Sequence, residues 1–304
     1  MRPRPAGDAA MAPLVTIVEW WRRHPRLVQG YTSRRLGNLS YRTAPAAEAA
    51  ERRVRLAAEL GIDPGRMFSI PLGHTNRVVV LRDDSFLARR DRRGYVEPEA
   101  DEILAWPVLT PEAYAAMPHD REYADGVVFA AANVYALVIT ADCAAVGFYD
   151  PVRQAAGNAH VGLLGAVNEL PKGMVAALVE SFGSRPADIE AVIFPCIRPC
   201  HYATANSQTW LRIRERVHAA FGEDNPLFAS GYFDLPGMVR SQLRASGLLE
   251  EHIFDVGLCT VCNADTLFSH VAAGSAEAQA REGRFGAVMG FRPEAPGGPT
   301  GGGR

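Results

Sequence analysis

The chain has 304 residues, 48% hydrophobic and 22% charged, enough apolar material for a sizeable core in one large domain or two small ones. A formal net charge of −2 and a pI near 6.5 give no electrostatic case for a nucleic-acid or anionic-membrane partner. The apolar run within the first 23 residues is far too short for a secretory signal or a membrane span, so the sequence reads as cytoplasmic.

Residues 1–12 have a disordered composition, and residues 14–23 read as a short strand or helix whose Trp20-Trp21 pair packs. Residues 29–40 suggest a strand running into a Gly/Asn/Ser loop with Arg34 and Arg35 near the turn. A helix is predicted over 45–60, with Pro45 at its first position, Val54, Leu56 and Leu60 on its apolar face and Gly61 at its end. Strands over 67–72 and 77–81 flank Gly73-His74-Thr75-Asn76, which leaves His74 where two extended segments meet. Residues 82–122 are polar and proline-punctuated, as expected of irregular chain that could form a flap.

From 125 to 140 the chain reads as one hydrophobic extended run that stops at Asp142-Cys143. A short strand over 144–149, a turn at Asp150-Pro151 and a small-residue segment then lead to His160. Helices are predicted over 170–182, 207–221 and 233–246, a buried strand over 189–194 and a last strand over 286–291. The Gly/Pro-rich end, 293–304, reads as a flexible tail. Strands and helices alternate without a regular βαβ rhythm, so the expected fold class is α+β with mixed sheets, one domain spanning 13–292.

His74, Cys143 and His160 are the residues with the most chemical promise. Two imidazoles and a thiolate make a sound zinc set with the fourth position open, as in catalytic sites. Asp142, beside Cys143, is a candidate ligand partner or proton carrier. The same Cys143 and His160 also serve a second reading, a thiol hydrolase that needs no metal. Of five cysteines, Cys196-x3-Cys200 and Cys259-x2-Cys262 invite a four-cysteine metal site. Buried thiols beside apolar strand ends are the stronger reading of those four. No GxGxxG, P-loop or GxSxG motif is present.

With these residues placed, the chain resembles the laccase-domain family, also called YfiH-like or multicopper polyphenol oxidase, from about residue 29 to about 291. TSRRLGNLS (32–40), GHTNRVVVL (73–81), ADGVV (124–128), TADCAAV (140–146), AAGNAHVGLLG (155–165), PCIRPCHY (195–202) and CTVCNADTLFSH (259–270) follow the order of that family's motifs. The resemblance implies a layered α/β/β/α sandwich in which His74, Cys143 and His160 bind one Zn2+ per chain. It also implies zinc-dependent phosphorolysis or deamination of a small-molecule substrate, a purine nucleoside or related heterocycle. Arg35 is the implied phosphate seat, Asn76 a further substrate contact, and Asp142, Cys143 and His160 the catalytic set. Eight scattered histidines are too few for multicopper oxidation. Some members look like peptidoglycan-editing amidases, and the fold resembles a toxin deamidase domain, so a Cys143/His160 amidase stays open. So does a degenerate member that only binds a ligand. HVGLLG carries Leu163 and Leu164 where the family has Trp and Arg, and FSHVAAG lacks the Arg of FFSYR. Those departures point to a substrate less anionic or more apolar than the typical one, in specialised metabolism. The expected state is a monomer or small homo-oligomer, with no nucleic-acid or membrane partner.

Overall fold

The computed structural model describes residues 12–104 and 123–294. Of the sequence expectations for residues 1–12, for the flap over 82–122 and for the tail over 293–304, the parts at 1–11, 105–122 and 295–304 lie outside the described residues. In chain order the strands are β1 (Val15–Thr16), β2 (Leu27–Thr32), β3 (Met67–Phe68), β4 (Val78–Leu81), β5 (Ile103–Leu104) and β6 (Gly126–Phe129). Then come β7 (Val134–Thr140), β8 (Ala144–Asp150), β9 (Ala155–Val161), β10 (Glu190–Ile193), β11 (Ile253–Asp255) and β12 (Phe285–Phe291). The helices are α1 (Ala46–Leu60), α2 (Leu163–Val167), α3 (Leu170–Phe182), α4 (Gln208–Phe221), α5 (Leu235–Ala245) and α6 (Ala276–Arg281).

Two mixed sheets result, ordered β1-β2-β12-β7-β3 and β11-β10-β8-β9-β6-β4-β5. Their facing surfaces follow from the two-residue period of a strand. Ala287, Met289 and Phe291 of β12 point inward to meet Phe129, Ala145 and Tyr149 of the second sheet, while Val288 points the other way. The outer face of the second sheet, with Val128, Val146 and Phe148, is covered by Met174 and Leu178 of α3 and by Trp210, Met238 and Leu243 of α4 and α5. Leu56 and Leu60 of α1 cover Tyr135, Leu137 and Val288 on the outer face of the first. The layers are therefore α/β/β/α, as the motif order implied.

Four local expectations are corrected. Pro45 caps α1 from outside in an extended conformation (ψ 136°), and the helix begins at Ala46; Gly61 closes it at φ 61°. Val54 is 53% exposed although Leu56 is fully buried, because residues two apart on a helix face opposite ways. The single run over 125–140 is two strands, β6 and β7, in different sheets. Both are buried on both faces, so the apolar pattern hides the crossover, which turns at Asn133 (φ 59°). Trp21 does more than pack: its indole donates to Glu190 Oε2 at 2.8 Å, a buried carboxylate that also pairs with Arg23 and His24.

The crossovers place the site. β3 and β7 run parallel, so both leave the first sheet on the same side and pass to the second, as β4 and β8. His74 lies on one crossover and Cys143 on the other. β9 pairs antiparallel with β8, with Ala144 opposite Val161 and Ala145 opposite His160, which brings His160 to the same edge. Among the described residues no helix is long and apolar enough to cross a membrane.

Candidate metal centre

Side-chain donor atoms of His74, Cys143 and His160 lie within 4.8 Å of one another. The two imidazole rings meet edge to face, with centroids 5.0 Å apart. Three residues separated by up to 86 positions thus converge, as the sequence reading expected.

Asp125 sets the geometry of this trio. It is fully buried, and its Oδ1 lies 2.9 Å from Nδ1 of His160. Its Oδ2 accepts the amide hydrogens of Gly73 (3.1 Å) and Thr75 (2.5 Å), on either side of His74. One carboxylate therefore orients one imidazole and anchors the turn that carries the other. That turn is tight: His74 itself has φ 58°, in the left-handed region. With Nδ1 of His160 donating to Asp125, Nε2 is the atom turned to the site, the arrangement typical of metal-ligating histidines. Gly162 completes the enclosure. A Cβ there would stand 2.9 Å from Cys143 Sγ and 3.1 Å from Cδ2 of His74.

The electrostatics match a thiolate between imidazoles. Burial pushes the Cys143 thiol up, but the charge and hydrogen bond of His160, then the hydrogen bond and charge of His74, outweigh it and bring it to about 6. Burial works against a charged His160, and Cys143 and Asp125 together reverse that, raising it to about 10. Desolvation likewise opposes the Asp125 carboxylate, which His160, His74 and the Thr75 amide nonetheless hold below the usual range.

The other predicted residues make the following bonds. Asp142, at φ 93°, turns its carboxylate away from the trio. Oδ1 accepts from Thr260 Oγ1 (2.5 Å) and Ser269 Oγ (2.7 Å), and Oδ2 from the Val271 amide (2.7 Å). The carboxylate that bonds a site imidazole is Asp125, which stood unremarked inside the ADGVV motif. Arg35 is exposed and donates to the carbonyl of Ala12. Asn76 is buried, with its amide bonded to the Asn168 carbonyl at 3.2 Å. Two residues not singled out from sequence do bear on the site. Burial, then the charges of Cys143 and Asp142, push the Tyr202 hydroxyl up. Burial lowers Arg284, while Cys143 and Asp142 act the other way. Neither sits in a pattern that single-sequence reading can separate from ordinary strand and loop residues.

The donor set fits a divalent ion. A thiolate and two imidazoles suit zinc, His160 has its second nitrogen already satisfied, and Gly162 leaves room where any side chain would intrude.

Comparison with known proteins bears on the family and the fold. A family model described as "Multi-copper polyphenol oxidoreductase laccase" matches residues 30–292. The purine nucleoside phosphorylase YlmD of Bacillus subtilis is 33% identical over 168 residues, which cover 55% of this chain and 57% of that protein. The human purine nucleoside phosphorylase LACC1 is 28% identical over 173 residues, covering 55% of this chain and 37% of the human one. The chain thus spans about half the length, or less, of these curated relatives. Among solved structures, the Bacillus licheniformis hypothetical protein YfiH superposes with a TM-score of 0.67 at 23% identity, covering 92% of this chain and 97% of that one. YlmD from Geobacillus stearothermophilus gives 0.67 at 22% identity, covering 88% and 92%. These two likenesses show the shared fold.

Proposed function

Because the chain belongs to the multi-copper polyphenol oxidoreductase laccase family, matched over residues 30–292, we propose that it is a zinc-dependent enzyme acting on a purine nucleoside or a closely related heterocycle, with phosphorolysis as its reaction. The observation that carries this reading is the convergence of His74, Cys143 and His160, with His160 fixed by Asp125. A divalent ion held by those three donors supplies Lewis acidity at neutral pH.

The protein's own groups have separate tasks. Asp125 keeps the His160 proton on Nδ1 and Nε2 directed at the site. Tyr202, its hydroxyl held above the ordinary value, keeps its proton at neutral pH and is a hydrogen-bond donor near Cys143. Arg284, within the electrostatic reach of Cys143 and Asp142, takes over the role of phosphate seat assigned from sequence to Arg35; a guanidinium suits bidentate phosphate binding. Leu163 and Leu164, packed in or against the core, stand where the family pattern has Trp and Arg, so the two polar groups of that pattern are missing, which favours a less anionic substrate than usual. Product analysis tests the reading. Incubation with inosine, adenosine or methylthioadenosine should give free base and a sugar phosphate only when phosphate is present. Turnover of none of them with a metal-loaded preparation would sink it.

A second reading is favoured by the thiolate character of Cys143 beside His160: an amidase using Cys143 as nucleophile and His160 as base. Covalent trapping of Cys143 by an amide substrate in metal-free protein would support it over phosphorolysis.

A further inference from the structure

The loops following β10 and β11 are bound side by side. Cys196 and Cys259 form a parallel bridge, with the Cys196 amide donating to Leu258 and the Thr260 amide to Cys196. Arg198 and Asp255 fasten the same loops through two side-chain hydrogen bonds of 3.0 and 2.5 Å. What this brings together is not the four cysteines that the sequence pairs. Cys196 stays in the hydrophobic core. His201 takes its place beside Cys200, Cys259 and Cys262, with the donor atoms of all four within 4.8 Å of one another.

The spacings within that group are those of a metal tetrahedron. With metal–sulfur bonds of about 2.3 Å and metal–nitrogen bonds of about 2.0 Å, tetrahedral S···S and S···N edges are about 3.8 and 3.5 Å. Here Cys200 Sγ lies 3.7 Å from Cys262 Sγ. Nδ1 of His201 lies 3.3 Å from Cys200 Sγ, 3.7 Å from Cys259 Sγ and 3.4 Å from Cys262 Sγ. Ordinary packing of three thiols gives no reason to gather them around one imidazole nitrogen. The Cys259-x2-Cys262 spacing is also that of a zinc knuckle.

We propose that Cys200, His201, Cys259 and Cys262 hold a second zinc ion, in a closed four-ligand site that is structural. Four protein donors leave no open position, in contrast to the trio of His74, Cys143 and His160. Thiolate-rich tetrahedral sets select zinc over the harder divalent ions. The site staples the loop carrying Thr260, which donates to Asp142, to the loop carrying Tyr202. It stands independently of the reaction proposed above.

Elemental analysis of the full chain, purified under reducing conditions, tests it. Wild type should hold two zinc ions per chain. His74→Ala, Cys262→Ala and His201→Gln should each hold one. Cobalt-loaded His74→Ala should show the intense visible bands of a tetrahedral thiolate site, and the additional Cys262→Ala change should abolish them. If either Cys262→Ala or His201→Gln proves insoluble, the other decides. An unchanged zinc count in the soluble variant overturns the proposal. So does a Cys200–Cys262 disulfide found by mass spectrometry in protein prepared with reductant, or iron–sulfur absorbance in place of zinc.

Discussion

Asp125 and His160 are bonded twice, once through the main chain and once through their side chains. The His160 amide donates to the Asp125 carbonyl at 2.7 Å, and the His160 ring meets the Asp125 carboxylate at 2.9 Å. The register of β6 against β9 therefore fixes the azimuth of the His160 imidazole within the trio.

Asp125→Asn keeps the shape of that carboxylate but puts an amide N–H2 against one of the three donors it now serves. The His160 ring loses its fixed tautomer, or the turn at His74 loses an anchor. Metal affinity, measured by competition with a chromophoric chelator, should fall about 10–100-fold. An unchanged affinity would mean that the ring is held by packing alone.

Gly162→Ala separates room from fold. Gly162 has φ −86° and ψ −172°, which alanine adopts without strain. Its methyl, however, would meet Cys143 Sγ at 2.9 Å and the His74 ring at 3.1 Å. Zinc affinity should drop at least roughly tenfold, because ligand sets must be held to within about 0.5 Å. The circular dichroism spectrum should be unaltered. Full metal retention would show that the site has slack which this geometry denies.

Much of this could be read from the letters, and the limits have physical causes. His74, Cys143 and His160 are chemically distinct residues at strand ends, but their spacing does not connect them; the order of the surrounding motifs is what implies that they meet. The helix over 170–182 and the strand pairing around Asp150 follow from apolar periodicity and turn residues. Asp125 was hidden because an acid at the head of an apolar strand resembles any solvated strand end; only the β6–β9 register reveals that it is sealed inside. Arg34, Arg35 and Arg284 cannot be ranked from the letters, since the register of β2 on β12 and of β12 on β7 brings all three to the sheet end from which the chain runs to Cys143. His201 was masked by Cys196, whose spacing suits a metal but whose side chain points into the core.

The pH dependence of Cys143 follows from its depressed value. In metal-free protein the thiol is lowered from the ordinary range to about 6. The reactive thiolate is thus present above about pH 6 and is lost as pH falls through it. Iodoacetamide labelling of Cys143, followed by mass spectrometry, should plateau above neutrality and decline about tenfold per unit below the midpoint. Zinc should suppress the labelling at every pH. A midpoint near 8–9 would mean that His160 does not share charge with the sulfur.

Arg284 and Arg35 offer a paired test of where phosphate sits. Arg284→Met removes a cation on which Cys143 and Asp142 act electrostatically, so KM for phosphate should rise by about 1.5–3 kcal/mol, or roughly 10–150-fold. The effect on KM for nucleoside should be small. Arg35→Ala, at an exposed position bonded to the Ala12 carbonyl, should leave both constants within twofold. The reverse pattern would return the phosphate seat to Arg35.

The sequence makes Asp142 a candidate ligand partner or proton carrier, and the bonds it makes argue for a brace instead. A carboxylate accepting from Thr260, Ser269 and the Val271 amide has little freedom to collect a proton and deliver it. Asp142→Asn is the informative change. Asparagine tolerates the φ of 93° and can still accept the two hydroxyl bonds at Oδ1, while its Nδ2 opposes the Val271 amide. Stability in urea should fall by about 1–3 kcal/mol for that lost acceptor. Turnover should stay within a few-fold, whereas removing a true general acid or base costs about 10²–10⁴-fold. A loss of that larger size, with metal content intact, would restore Asp142 to the chemistry and force a rotation of its side chain toward Cys143 during the reaction.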